Sequence, residues 1–189
     1  PAPPVAQNLS IQRVVPTQVE LRPGVPVTLS VRLSNDGTFP VTKVPFAVRL
    51  TGPGDPVETS ATVSLAAGQR KSVDLKLPIT EPGIYQGAAA IDNDDALPWD
   101  NRRHVAFEVR YPDRLLLVDG DAGRKPWENT TYFVETALRL QTPVGEGPAR
   151  TFEVERLVWD QGSGFPNLDG FRLIVLANLG HLTPSDAQQ

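Results

Sequence analysis

The stretch Val105-Ala106-Phe107-Glu108-Val109-Arg110-Tyr111-Pro112-Asp113-Arg114-Leu115-Leu116-Leu117-Val118-Asp119-Gly120 changes its hydrophobic period once, and that change divides the chain. Up to Val109 every second residue is apolar, the pattern of a strand with one buried face. From Leu115 to Val118 the run is apolar throughout, as in a strand covered on both faces within a parallel sheet. Between them, Pro112 fixes φ, and so short a joint predicts a stiff connection rather than a tether. The expected division is residues 1–110 as an all-β immunoglobulin-like sandwich and 113–189 as a partial α/β unit, flavodoxin-like, with three parallel strands.

Upstream, the same two-residue beat recurs. Val27, Leu29, Val31 and Leu33 alternate with polar residues, as do Val73, Leu75 and Leu77, while Phe46, Val48 and Leu50 alternate with Ala47 and Arg49. Asn35-Asp36-Gly37, Thr51-Gly52-Pro53-Gly54-Asp55-Pro56, Ala67-Gly68 and Glu81-Pro82-Gly83 supply the turns, through residues that accept positive φ or that cannot continue a ladder. With strands near Leu9–Val15, Thr62–Leu65 and Ile84–Ile91, about seven are expected, the number of an immunoglobulin-like sandwich.

Downstream, Pro126 marks a helix start. Phe133, Val134, Ala137 and Leu138 form the apolar stripe of a helix of about four turns ending before Thr142-Pro143. Phe152 to Trp159 reads as a second strand and Leu173 to Leu176 as a third, buried one. Thr183-Pro184-Ser185-Asp186 carries the residue types of a fresh helix start. A unit with three strands, in a chain that opens on Pro1 and contains no Met, is expected to be a piece of a longer protein. Any signal peptide or anchor would then lie outside it, and edge-strand pairing through Leu173 to Leu179 is expected, because a sheet edge presents unpaired N–H and C=O groups.

Composition narrows the functional classes. The chain has 189 residues, 40% of them hydrophobic, and no Cys, so it has no disulfide, thiolate nucleophile or thiolate metal site. No apolar run approaches the ~18 residues of a membrane span, so membrane association is expected only through segments outside this chain. Residues 1–110 are net neutral and 111–189 carry a net charge of −4. The densest cationic spots are the pairs Arg70-Lys71, Arg102-Arg103 and Arg124-Lys125, too sparse for a phosphate-binding surface, so no nucleic-acid partner is expected.

Three clusters are site candidates. Asp92, Asp94, Asp95 and Asp100, with Asn93, are a candidate metal set, since calcium takes six to eight oxygens; the plainer reading is a hairpin whose side chains cap their own turns. Asp119 and Asp121 follow the first parallel strand, and Asn178 and His181 follow the third. In a sheet of order 2-1-3 these strands are neighbours, and ligands of such sheets bind beyond their carboxyl ends. Trp99 is read foremost as folded over the end of the core, and otherwise as an exposed anchor for a sugar or a partner. Tyr85 is expected to bond backbone near a strand corner, and Asn129-Thr130-Thr131 fits a glycan-acceptor pattern judged incidental. No Ser-His-Asp set can be assembled from His104 and His181, no catalytic residue is assigned, and no phosphate-loop, dinucleotide or zinc spacing occurs, so no cofactor is expected.

Two resemblances accompany these residues. Asn8-Leu9-Ser10-Ile11, Pro23-Gly24-Val25-Pro26-Val27, Ser34-Asn35-Asp36-Gly37-Thr38, Leu65-Ala66-Ala67-Gly68 and Pro82-Gly83-Ile84-Tyr85, with the acidic stretch Asp92 to Asn101, resemble the bacterial CARDB-type domain. That resemblance implies a secreted, immunoglobulin-like, adhesion-related module. Arg114 to Asp121 and Leu168 to Asn178 are similar to the first and third strands of a class I glutamine amidotransferase-like domain, whose nucleophilic Cys this chain lacks. The tandem resembles the extracytoplasmic part of aerotolerance (Bat)-type bacterial membrane proteins. The resulting expectation is a non-catalytic extracytoplasmic interaction or spacer module, its protein partner unspecified. One alternative is a small-molecule-binding or enzymatic unit using the Asp119/Asn178 crevice, and another is a calcium- or carbohydrate-dependent adhesion module.

Overall fold

The computed structural model describes residues 7–93, 95, 97–121, 123, 125–139, 152–159 and 165–180. The chain divides into two compact units, Pro1–Tyr111 and Pro112–Gln189.

In the first unit the described residues form seven strands: β1 Leu9–Pro16, β2 Val27–Asn35, β3 Val41–Thr51, β4 Val57–Leu65, β5 Arg70–Leu77, β6 Gly83–Ile91 and β7 Arg102–Val109. They build a three-stranded sheet of order β1-β2-β5 and a four-stranded sheet of order β4-β3-β6-β7, antiparallel throughout. Register follows the apolar beat. Val31 lies opposite Val14 on one side and Val73 on the other. Alternate residues of both sheets, including Leu29, Val31, Leu33, Phe46, Val48 and Leu50, are buried in one shared core, so the unit is a two-layer β-sandwich. The strand expected from Thr62 begins earlier, at Val57. Its first half alternates polar residues outward with Val57 and Ala61 packed on the core, and pairing with β3 extends it beyond what its weak apolar pattern announces.

Tyr85 is buried, its ring stacked on Phe107 and its hydroxyl placed to donate to the carbonyls of Glu81 (3.1 Å) and Pro53 (3.2 Å). Gly52 is required beside it, because a Cβ there would lie 2.5 Å from the ring. Burial raises the Tyr85 pKa above the ordinary tyrosine value of 10.0, with the nearby Glu81 charge adding to the effect. The folded state therefore favours the neutral phenol. The stability tied to it is complete below pH 10 and lost as pH climbs through the raised value. Tyr85→Phe is expected to cost about 1 kcal/mol at neutral pH, and to flatten the alkaline loss of melting temperature above pH 10. Thermal unfolding across pH 8 to 11 checks both parts.

In the second unit, β8 Asp113–Asp119 is the central strand of a three-stranded parallel sheet. It is flanked by β9 Phe152–Val158 and β10 Phe171–Ala177. In chain order of the unit this is the arrangement 2-1-3. Leu115 and Leu117 pack on one face with Leu138, Phe152 and Val175. Leu116 and Val118 pack on the other with Trp159, Phe165, Leu168 and Ile174. Both faces of β8 are thus covered, which is what its continuous apolar run requires.

Three expectations need correction here. Pro126 opens a single 3-10 turn, Pro126–Glu128, and the helix α1 starts later, at Tyr132–Arg139. The start is set by Thr131, whose carbonyl accepts from the Glu135 N–H at 2.8 Å and whose hydroxyl is held by Asp119. The expected end of the helix before Thr142 lies outside the described residues. Secondly, Phe133, Val134 and Ala137 face outward, Phe133 at 69% exposure. The helix instead meets the sheet through Leu138 and through Arg139, which donates to the Val154 carbonyl at 2.8 Å. Thirdly, β10 is not a buried strand, since Leu173 and Leu176 are about half exposed. Among the described strands it pairs with β8 alone, so only one of its edges is covered.

Candidate functional site

The carboxyl ends of β8 and β10 meet as the 2-1-3 order demands. The Gly120 N–H donates to the Ala177 carbonyl at 2.9 Å, and a Cβ on Gly120 would lie 2.1 Å from the Asn178 carbonyl oxygen. Only a glycine allows that approach. Asn178 turns the chain away with φ of 53°, a conformation asparagine tolerates better than most residues.

At this junction Asp119 is fully buried, with 0% exposure. Its Oδ1 accepts from the Asp121 N–H at 3.1 Å, and its Oδ2 from the Thr131 hydroxyl at 2.8 Å and the Thr131 N–H at 3.3 Å. The Asp119 carbonyl accepts from the Trp159 N–H at 2.7 Å. A carboxylate at this position therefore fastens the end of the central strand to the start of α1, where backbone N–H groups favour negative charge. Asp121 and Asn178 are exposed at the rim. His181 lies outside the described residues, as do Thr183 to Asp186. The structure thus brings Asp119 and Asn178 to one place, with the Asp119 carboxylate turned inward. Thr131, which completes the junction, was not singled out as a partner of Asp119 from sequence. It belongs to the Asn129-Thr130-Thr131 triplet, whose fit to a glycan-acceptor pattern reads as incidental, and both Asn129 and Thr131 are buried.

The second site lies between the start of β1 and the β6–β7 connection. Asp95 Oδ2 accepts from the Leu9 N–H at 2.9 Å and from Asn93 Nδ2 at 3.2 Å, and its Oδ1 accepts from the Leu97 N–H at 3.1 Å and Asn101 Nδ2 at 3.2 Å. Asn101 Nδ2 also reaches the Asn93 carbonyl, and Asn8 Nδ2 donates to Asp100 Oδ2 at 3.3 Å. Asp95 thus takes amide bonds from Asn93 and Asn101, and Asp100 takes one from Asn8. Asp92 stands apart, exposed, and Asp94 lies outside the described residues. Among the described residues no group of three or more His, Cys, Asp or Glu is placed to hold a metal. Asn8 and Asn101, both buried, are the members of this cluster that an acid-centred reading of the sequence passes over. Trp99 corrects an expectation. It is 84% exposed rather than folded over the core, because it sits on the turn Pro98–Asn101, with Asp100 N–H bonded to the Leu97 carbonyl.

No protein-family model matches the chain, and no curated protein matches it. Solved structures do resemble it in part. A cycloisomaltooligosaccharide glucanotransferase from Paenibacillus sp. complexed with cycloisomaltoheptaose is 22% identical with a TM-score of 0.43, covering 63% of this chain and 17% of that one. A β-glucosidase from Erythrobacter marinus is 13% identical, TM-score 0.43, covering 55% and 16%. The CARDB domain of a Pyrococcus furiosus protein in complex with di-metal ions is 19% identical, TM-score 0.44, covering 55% of this chain and 93% of that one. The chain spans under a fifth of the two enzymes. All three TM-scores lie below 0.5, and nothing about this chain's chemistry follows from them; the sandwich stands on its own strand order and register.

Proposed function

We propose that this chain is a non-catalytic interaction or spacer module, the extracytoplasmic part of a membrane-anchored bacterial protein, in which a CARDB-like sandwich is followed by a flavodoxin-like, amidotransferase-like unit. The observation that carries the non-catalytic reading is the state of Asp119. Among the described residues, the one buried carboxylate at the carboxyl ends of the parallel strands is withdrawn from solvent, and both its oxygens are engaged in holding Thr131 and Asp121. A carboxylate so engaged supports architecture, whereas general acid–base work needs a group within reach of a substrate proton. The extracytoplasmic setting is supported by the resemblance of residues 8–110, 114–121 and 168–178 to such regions.

Two measurements test the reading. Thermal unfolding of the full chain with millimolar glutamine, nucleotides and simple sugars is expected to leave the transition of the second unit unmoved. A saturable shift that Asp119→Asn abolishes would establish the crevice as a ligand site and overturn the proposal. In cells producing the longer protein, protease added outside spheroplasts is expected to degrade this region. Protection until lysis would remove the extracytoplasmic assignment.

A further inference from the structure

We infer that the sandwich carries a binding site for a hard divalent cation of the calcium class, formed by the side-chain oxygens of Asn8, Asp100 and Asn101 where the start of β1 meets the β6–β7 connection. This goes beyond the module reading and stands independently of it.

The decisive atoms are acceptors without donors. Asn8 Oδ1, Asp100 Oδ1 and Asn101 Oδ1 are all buried, and none has a hydrogen-bond partner among the described residues. Asn8 and Asn101 are more than nine-tenths buried, at 5% and 6% exposure. Their amide nitrogens are both engaged inside the cluster, Asn8 Nδ2 with Asp100 Oδ2 and Asn101 Nδ2 with Asp95 Oδ1. Those bonds decide which end of each amide is oxygen. Buried polar atoms without partners are rare in folded proteins, and here three occur on residues that adjoin one another, Asn8 being bonded to Asp100 and Asp100 preceding Asn101 in the chain. Neither Asp95 nor Asp100 has a salt-bridge partner among the described residues.

A single water donates two hydrogens and cannot serve three acceptors at once. A cation can, and the donor set selects its kind. Two amide oxygens and a carboxylate, with no His or Cys in the cluster, are hard ligands that suit calcium rather than zinc or copper. Asp95 has a different part. Its oxygens accept from Leu9, Leu97, Asn93 and Asn101, so it pins the connection to β1 and presents the ligating side chains. With few charged ligands, affinity is expected in the range of extracellular modules, a Kd of about 0.1 to 1 mM.

The test uses the full chain, with calcium and terbium as probes. Trp99 neighbours Asp100 and is exposed, so it serves as the sensitiser for bound terbium. Saturable terbium luminescence on tryptophan excitation, displaced by calcium, is expected. So is a rise of about 5 °C in the sandwich melting temperature at calcium tenfold above Kd. Asp100→Asn should weaken binding at least tenfold, whereas Asp92→Asn should leave it unchanged. Trp99→Phe should lose the luminescence and retain the calcium-dependent melting shift. Absence of both wild-type responses up to 10 mM calcium, a number set by the expected Kd, would overturn the site. So would a response that survives Asp100→Asn, or one that Asp92→Asn abolishes as fully.

Discussion

Asp119→Ala is expected to remove about 3 kcal/mol from the stability of the second unit, with the sandwich transition left in place. The estimate follows from what the substitution strands: the Thr131 hydroxyl and N–H and the Asp121 N–H, the Thr131 contacts being buried, each lose an acceptor that carries charge. Hydrogen bonds to charged groups contribute about 1.5 to 3 kcal/mol each, and leaving buried donors unsatisfied adds a desolvation cost. Water entering the space left by the side chain re-satisfies much of this, which brings the total below the three-bond sum, to about 3 kcal/mol. Asp119→Asn keeps one acceptor oxygen while presenting an NH2 to the second set of donors, so it should fall about halfway. Trp159, buried and bonded through its backbone N–H to the Asp119 carbonyl, gives the readout, since its fluorescence follows this unit in a urea titration. A wild-type urea midpoint for Asp119→Ala would show that the carboxylate does not tie β8 to α1, and would reopen the crevice reading.

Asn35→Ala is expected to cost the sandwich about 3 kcal/mol by the same logic applied to an amide. Asn35 is fully buried. Its Nδ2 donates toward the carbonyls of Phe39 (2.8 Å), Ala66 (3.1 Å) and Leu65 (3.3 Å), and its Oδ1 accepts from the Gly37 N–H at 3.1 Å. Its backbone N–H reaches the Gln69 carbonyl, and its own carbonyl accepts from Gly68. One side chain thereby ties the end of β2, in the three-stranded sheet, to the end of β4, in the four-stranded sheet. Alanine leaves this set of buried groups unpaired. Asn35→Asp should be no milder, because a carboxylate cannot donate to the carbonyls and brings a charge into a buried place. The urea midpoint of the sandwich transition measures both. A cost below 1 kcal/mol for Asn35→Ala would mean that the two turns hold without it, against the ~1 kcal/mol typical of a single hydrogen bond.

Much of this architecture was legible without coordinates. The two-residue beat placed the sandwich strands, since a strand with one buried face must alternate, and Leu115 to Val118 announced a strand covered on both sides. Turn residues such as Asn35-Asp36-Gly37 marked the connections by their backbone chemistry. Local pattern failed where a neighbour outweighed it. Pro126 is a sound helix-start residue, yet Asp119 draws the start to Thr131. Phe133, Val134 and Ala137 form an apolar stripe, yet Leu138 and Arg139 decide which face meets the sheet.

The sequence by itself determined the two periods, their boundary near Pro112 and the identity of the turns, because hydrophobic spacing and backbone preference act over a few residues. Only the tertiary structure decided that Asp119 turns inward to Thr131, that Trp99 stays in water, and that Asn8 and Asn101 carry the acceptors beside Asp100. Those outcomes depend on hydrogen bonds between residues up to 92 positions apart, as for Asn8 and Asp100, and no local spacing encodes which partner such a polar group will find.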